Sequence, residues 1–185
     1  VIDIGIGPIL FKASISRLNP GGKELMTNIA SAHISALTQN NALKIANNWH
    51  YEAAYAFYDA MNDQEDYQEL ITPQLRGNRY FQVVADAALI GFFCLEPLTN
   101  GKVEIGLGLK PEMTGQGLGI KFLSMIEAFV KTKTDYTMIL LSVAMFNLRA
   151  QKVYHKAGYQ ELERKMVNTN QSTYEFVILA KPISR

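Results

Sequence analysis

At 185 residues the chain is long enough for one domain with a real hydrophobic core, and 48% apolar with 19% charged residues is the make-up of a globular protein. A net charge of +1, with the basic residues scattered, excludes the strong field that nucleic acid or an anionic membrane surface calls for. The longest apolar runs fall far short of the ~20 residues of a membrane helix, and the single cysteine, Cys94, excludes an internal disulfide and fits a reducing, cytoplasmic setting.

Residues 1–25 show no sustained period and are punctuated by GIGP and NPGGK. They read as an appendage, and Met26 as the opening of a domain over 26–185. The first residues, VIDIGIGPILF, lack the basic n-region and cleavage site of a signal peptide. SAHISAL (31–37) reads as a first strand. Next, Leu43, Ala46, Trp49 and Ala53 recur at helical spacing, with Thr38, Asn40 and Asn41 as cap candidates. A second helix is expected around 63–71, ended near Pro73 and Gly77. Strands follow at 80–85 and 89–95, joined by a turn near Asp86, and then at Val103–Leu109 after the turn TNGK. Cys94 lies in the second of these and reads as a buried, inert thiol.

Leu118, Phe122, Met125 and Phe129 mark a long helix, and YTMILLSVA (136–144) a strand covered on both faces. NLRAQKVYHKA (147–157) is a helix with an apolar stripe at Ala150, Val153, Tyr154 and Ala157, stopped by Gly158. Two alternating strands, 159–167 and 172–180, close the chain as a hairpin. The short links make the early strands antiparallel, while the strand at 103–109 and the one after the long helix suit a parallel unit. The fold class is mixed α/β (α+β). His33, His50 and His155 have no metal-ligand spacing, so no metal is expected.

Two segments carry chemistry. In VEIGLGLKPEMTGQGLGIKFL a strand runs into Gly115, Gly117 and Gly119 and leaves as a helix. Outward backbone N–H groups at such a turn, together with the helix dipole, suit a phosphate-like anion. The spacing is not G-x-G-x-x-G, and no Gly-Lys-Ser/Thr follows, so dinucleotide redox chemistry and nucleotide hydrolysis are disfavoured. In SVAMFNLRAQKVYHKAGY, Asn147 opens a helix after a buried strand and Tyr154 lies two turns on. Seen alone, Asn147 is a helix cap and Tyr154 a core tyrosine.

Together the segments resemble the GNAT superfamily of N-acetyltransferases. Thr114, Gly117 and Gly119, with Pro111 ahead of them, match the family's pyrophosphate motif Q/R-x-x-G-x-G/A. Asn147, Ala150, Tyr154, Gly158 and Tyr159 match its N-x-x-A-x-x-x-Y-x-x-x-G-[FY] stretch. The likeness extends over about residues 32–181. Thr114 departs from the usual Gln or Arg, which implies a lost side-chain contact and altered cofactor affinity.

The resemblance implies a mostly antiparallel twisted sheet of six or seven strands, splayed between two central strands, with helices on both faces. It implies acetyl-CoA as donor and direct transfer of acetyl to a primary amine of a small molecule or protein. The pyrophosphate would lie on Thr114, Gly115, Gln116, Gly117, Leu118 and Gly119, and the thioester arm along Leu107 and Leu109, with room beside Gly106 and Gly108. Asn147 would orient cofactor or acceptor, Tyr154 would be the general acid, and Glu104 is the candidate base. Trp49, Glu52, Tyr55 and Tyr58 are the candidate acceptor contacts, in a segment whose acids Asp59, Asp63, Glu65 and Asp66 suit a cationic amine. A homodimer is common in such proteins. The alternative in the same fold is a non-catalytic acyl-CoA sensor or interaction module, and a donor with a longer acyl chain is a third reading.

Overall fold

The computed structural model describes residues 29–183. The expected appendage at 1–25 and the domain start at Met26 lie outside the described residues. Among the described residues seven strands form one sheet: β1 His33–Ala36, β2 Tyr80–Ala85, β3 Ala88–Pro97, β4 Lys102–Leu109, β5 Met138–Ala144, β6 Gln160–Thr169 and β7 Ser172–Pro182. Their order across the sheet is β1-β2-β3-β4-β5-β7-β6. The hairpins close on residues that tolerate the left-handed region. Asp86 and Ala87 have φ of 49° and 62°, and Asn170 and Gln171 have φ of 49° and 60°. Positive φ at both central positions matches the twist of the flanking strands.

Among the described residues five helices accompany the sheet: α1 Gln39–Asn48, α2 Gln64–Ile71, a short α3 Pro73–Arg76, α4 Gly119–Lys133 and α5 Leu148–Lys156. Thr38 caps α1 by accepting from the Asn41 amide, and Asp63 caps α2 by accepting from those of Glu65 and Asp66. α5 ends in a Schellman turn. Gly158, at φ 92°, lies just past the capping Ala157. Its N–H bonds His155 O, and the Tyr159 N–H bonds Tyr154 O, both at 3.0 Å.

One expected helix is shorter than its periodicity suggests. α1 does not run on through Trp49 to Ala53; it stops at Asn48, and residues 53–58 form a 3-10 turn. Its buried face is Ala42, Ile45 and Ala46, while Leu43 is 40% exposed. The cause is a clamp beyond the helix end. The Asp59 carboxylate accepts the Tyr51 N–H at 2.8 Å and faces His50 Nδ1 at 3.2 Å, which draws the chain away from the helix axis.

Helices cover both faces of the sheet, because consecutive strand residues face opposite ways. Phe92 and Cys94 join one core with Ala42, Ile45, Ala46 and Leu70 of α1 and α2. Phe93 and Leu95 join the other, with Phe122, Leu123, Ile126 and Val130 of α4 and Tyr154 of α5. Each large apolar side chain buried this way contributes roughly 1.5–3 kcal/mol.

Neighbouring strands are antiparallel except β4 and β5, which are parallel. That pair has only three registered partners: Lys102 with Met138, Val103 with Ile139, and Glu104 with Leu140. Beyond them β4 stays with β3, β5 stays with β7, and the sheet opens.

Packing at the opening is tight on the β3 side. A Cβ built on Gly91 would lie 2.5 Å from the Phe122 ring and 2.9 Å from Gly108 O. Gly91→Ala is therefore expected to cost about 1–3 kcal/mol, as overpacked cores do. A lowered midpoint in urea, with unchanged slope, is the expected readout.

Candidate active site

The backbone of β4 beyond Glu104 faces the gap. Lys110 N–H bonds Ile90 O at 2.8 Å, and Leu98 N–H bonds Lys102 O at 2.9 Å. In an antiparallel ladder these bonds fix the alternation. Glu104, Gly106 and Gly108 therefore bond toward β3, while Ile105, Leu107 and Leu109 direct their N–H and C=O groups toward the opening. The side chains of Leu107 and Leu109 are buried in the core under α4, so only their backbones address the gap. Tyr51 Oη already donates to Leu109 O at 2.9 Å, which leaves the Leu109 N–H and both groups of Leu107 as the addressable edge. Gly106 and Gly108 project no side chain from the other face.

The strand leads into the glycine loop. Gly115 and Gly117 have φ of 77° and 75°, and a Cβ on Gly117 would meet nothing within 4 Å. The loop is tied back on itself. The Thr114 hydroxyl donates to Pro111 O at 2.7 Å, and Gln116 Nε2 to Glu112 O at 2.7 Å. Thr114 is 3% exposed, so its side chain props the loop from below rather than reaching outward. Leu118 gives α4 no side-chain cap. The first-turn amides of a helix have no intrahelical acceptors, so the positive end of this 15-residue helix opens at Gly119.

At the far end of β5 three polar groups gather inside apolar surroundings. Asn147 is fully buried; its Oδ1 accepts from the Ala150 N–H at 3.2 Å and its Nδ2 donates to Tyr58 Oη at 3.0 Å. It is therefore a cap and a polar bridge at once. The Tyr58 hydroxyl is also hydrogen-bonded to the Ala144 backbone. Tyr154 belongs to the core on the α5 face and Tyr58 to the core on the α1 face, yet their phenols interact electrostatically. They approach each other where the sheet has parted. Burial, and for each a neighbouring tyrosine, push both phenols well above the ordinary tyrosine range. Both stay protonated donors.

Glu104 stands at the closed end of the gap, as the last β4 residue paired with β5. Ser142 Oγ donates to its carboxylate. Burial raises its pKa, Glu96 adds to the rise, and Ser142 and Lys165 oppose it. The Glu104 carboxylate, held at Ser142, is still two strand residues, roughly 7 Å along β5, from Ala144. A proton passing between Glu104 and the tyrosine end must therefore travel through water.

The candidate acceptor contacts are dispersed. Tyr58 is at the centre just described. Tyr55 is half-buried under the Arg149 guanidinium, 5.1 Å from its ring centroid. Glu52 is exposed. Trp49 is 6% exposed and packs on Phe92 with centroids 5.7 Å apart, in the core beneath α1. Asp59 and Asp63 are not free to attract an amine. Asp59 clamps Tyr51 and His50, and Asp63 caps α2 while its second oxygen accepts from Thr169 Oγ1 and the Asn170 N–H. Cys94 is buried, with its thiol pushed up to about 12 by that burial, as an inert thiol should be. Sequence reasoning missed Ser142, which meets Glu104 across the strand pair, and Phe146, which precedes Asn147 and is 39% exposed. Phe146 lines a groove of about 570 Å³ together with Ala54, Phe57, Asn62, Asn170, Gln171 and Tyr174.

The sequence model described as the acetyltransferase (GNAT) family matches residues 43–159, a span that contains β4, the glycine loop and Asn147–Tyr154. No curated protein sequence matches the chain. Among solved structures, a spermidine N-acetyltransferase from Vibrio cholerae in complex with CoA and spermine aligns with a TM-score of 0.65 at 18% identity, over 83% of this chain and 96% of that one. A chimera of a Vibrio cholerae spermidine N-acetyltransferase and hSSAT aligns with a TM-score of 0.66 at 21% identity, over 81% and 94%. A GNAT-family acetyltransferase from Bacillus anthracis aligns with a TM-score of 0.63 at 12% identity, over 82% and 95%. At such identities these likenesses speak for the fold.

The bare loop makes a prediction of its own. Gly117→Asp sets a carboxylate in the open space at the positive end of α4. It is expected to raise the Kd for CoA at least about tenfold, or ~1.4 kcal/mol, while the left-handed backbone at φ 75° costs roughly 1–2 kcal/mol and lowers the thermal midpoint modestly. Isothermal titration and a melting curve of the same sample check both halves.

Proposed function

The chain belongs to the acetyltransferase (GNAT) family, and from that premise we propose that it transfers the acetyl group of acetyl-CoA directly to a primary amine within a ternary complex. The observation that carries the reading is the opening between β4 and β5, with an anion-suited loop following the end of β4 and a buried Asn147–Tyr58–Tyr154 cluster at the end of β5. Similar folds act on spermidine and bind CoA and spermine, which supports an amine acceptor, small molecule or protein.

In this reading the pyrophosphate rests on the backbone of Thr114, Gly115, Gln116, Gly117, Leu118 and Gly119. The pantetheine arm adds to the free edge of β4 at Leu107 and at the Leu109 N–H. A strand-like arm gains main-chain hydrogen bonds there without disturbing the core. The arm then presents the thioester across the gap from the tyrosines.

Transfer there needs two proton movements. The acceptor arrives as an ammonium, with a reference pKa near ~10, and must lose a proton before its nitrogen attacks the thioester carbonyl. Glu104 receives that proton through water. The nitrogen–carbon bond forms, the carbon–sulfur bond breaks, and the sulfur leaves with the electron pair. Tyr154 donates its phenolic proton to that sulfur, CoA departs as the thiol, and the tyrosinate takes back the second proton that the nitrogen sheds on becoming the amide. The phenol's burial keeps it protonated until charge develops on the sulfur, which suits a donor that acts late. Asn147 holds Tyr58 in place and orients the reacting groups.

Tyr154→Phe is expected to lower turnover at least about tenfold, within the range of general acid catalysis, with little change in CoA affinity. Unchanged turnover removes Tyr154 from the mechanism. Glu104 has a second signature. Its pKa is raised by burial, so kcat/KM should show, on its acid side, an inflection above the ordinary carboxylate range that vanishes in Glu104→Gln. Thiol release across polyamines, amino acids, aminoglycosides and peptides tests the reaction as a whole. Tight acetyl-CoA binding with no turnover on any amine would favour a sensor instead.

A further inference from the structure

We infer that the acceptor carries an aryl or branched apolar group close to its amine, rather than further ammonium groups, because the groove beside Tyr58 has aromatic walls and, among the described residues, no carboxylate in its lining. This rests on the acetyltransferase reading above and narrows its substrate class.

The groove adjoins the reacting centre through the chain itself: Phe57 precedes Tyr58 and Phe146 precedes Asn147. Phe57 and Phe146 meet edge to face with centroids 5.2 Å apart, and Phe57 and Tyr174 do so at 4.8 Å. Phe146 remains 39% exposed in this wall. An apolar group that covers it removes water from aromatic surface, a gain of roughly 25 cal/mol per Å².

The polar members of the wall are neutral. Asn62 and Asn170 direct Nδ2 inward, to Ala56 O at 2.6 Å and Phe57 O at 2.7 Å, and Asn170 Oδ1 has no hydrogen-bond partner. These amides brace the chain and carry no charge with which a second ammonium could pair.

A polyamine would fit poorly. Its second ammonium would lie among rings without a counter-ion, and an unpaired charge taken out of water is costly. Asp63 is committed on both oxygens, as described, and Glu65 lines only the adjoining cleft of about 470 Å³. Nor do the rings form a cation cage. They contact one another at 4.8–5.2 Å, whereas a cage needs faces disposed around a cation within ~6 Å of each centroid. Arg149, stacked on Tyr55 beside Asn147, adds like charge.

The test is calorimetric titration of the CoA-loaded full chain with phenethylamine and with spermidine, and thiol release from acetyl-CoA with the same amines. Phenethylamine is expected to bind at least about tenfold tighter than spermidine. Phe146→Ala should weaken phenethylamine at least about fivefold while CoA binding stays unchanged. Phe146→Glu should shift the preference toward spermidine. Spermidine binding as tight or tighter, indifference of phenethylamine to Phe146→Ala, or binding of neither amine overturns the inference. Phenethylamine that binds through Phe146 but is never acetylated upholds the inference and contradicts the acetyltransfer reading. Preferred acetylation of spermidine does the reverse.

Discussion

The structure depends on a parallel strand pair that stops after three residues. Lys102–Glu104 and Met138–Leu140 hold the two halves of the sheet together, and past them two backbones diverge. Backbone N–H and C=O groups seldom stay unpaired inside a protein, so an opening in the middle of a sheet is a constraint that something must answer. On the β5 side, Tyr58 and Asn147 answer part of it, because the Tyr58 hydroxyl bonds the Ala144 backbone and is itself held by Asn147. On the β4 side Tyr51 takes the Leu109 carbonyl. What is left is a short run of main chain around Leu107, flanked by glycines. A partner that pairs like a strand completes it.

The same opening organises the electrostatics. The gap has a carboxylate at its closed end and phenols at its open end, each set in apolar surroundings that favour the protonated form. The loop at the start of α4 contributes the opposite tendency, a cluster of donors that favours negative charge. An elongated ligand with an anionic head and a neutral, strand-like tail matches this gradient from loop to tyrosines. Thr114 fits the picture without a side-chain contact to the anion. It ties the loop to Pro111 and leaves the backbone to do the binding.

Much of this architecture was legible in the sequence, and for local reasons. β2 begins and ends where its alternation predicts, and the glycine loop and Asn147 announce themselves by residue type and spacing. The misses have non-local causes. α1 ends early because Asp59, eleven residues past the helix end, captures the backbone of Tyr51. The acids of 59–66 suggest a cation site by composition, yet Asp59 and Asp63 serve as clamps and caps whose partners include Thr169, more than a hundred residues away. Trp49 is large and near the acids, but it fills the space over Phe92. Glu104 and Ser142 are 38 residues apart and meet only because β4 and β5 pair in that register. Periodicity places residues on faces; it does not say which polar groups fold back on their own chain.

The central claim is that the free edge of β4 and the glycine loop receive one ligand together. Residue-resolved amide hydrogen exchange on the full chain, with and without saturating CoA, tests it most directly. The account predicts that CoA slows exchange at Leu107 and Leu109 and at Gly117 and Gly119, leaving Gly106 and Gly108, already bonded toward β3, little changed. CoA binding that protects none of these amides, or that protects a set remote from the β4–β5 opening, would contradict it.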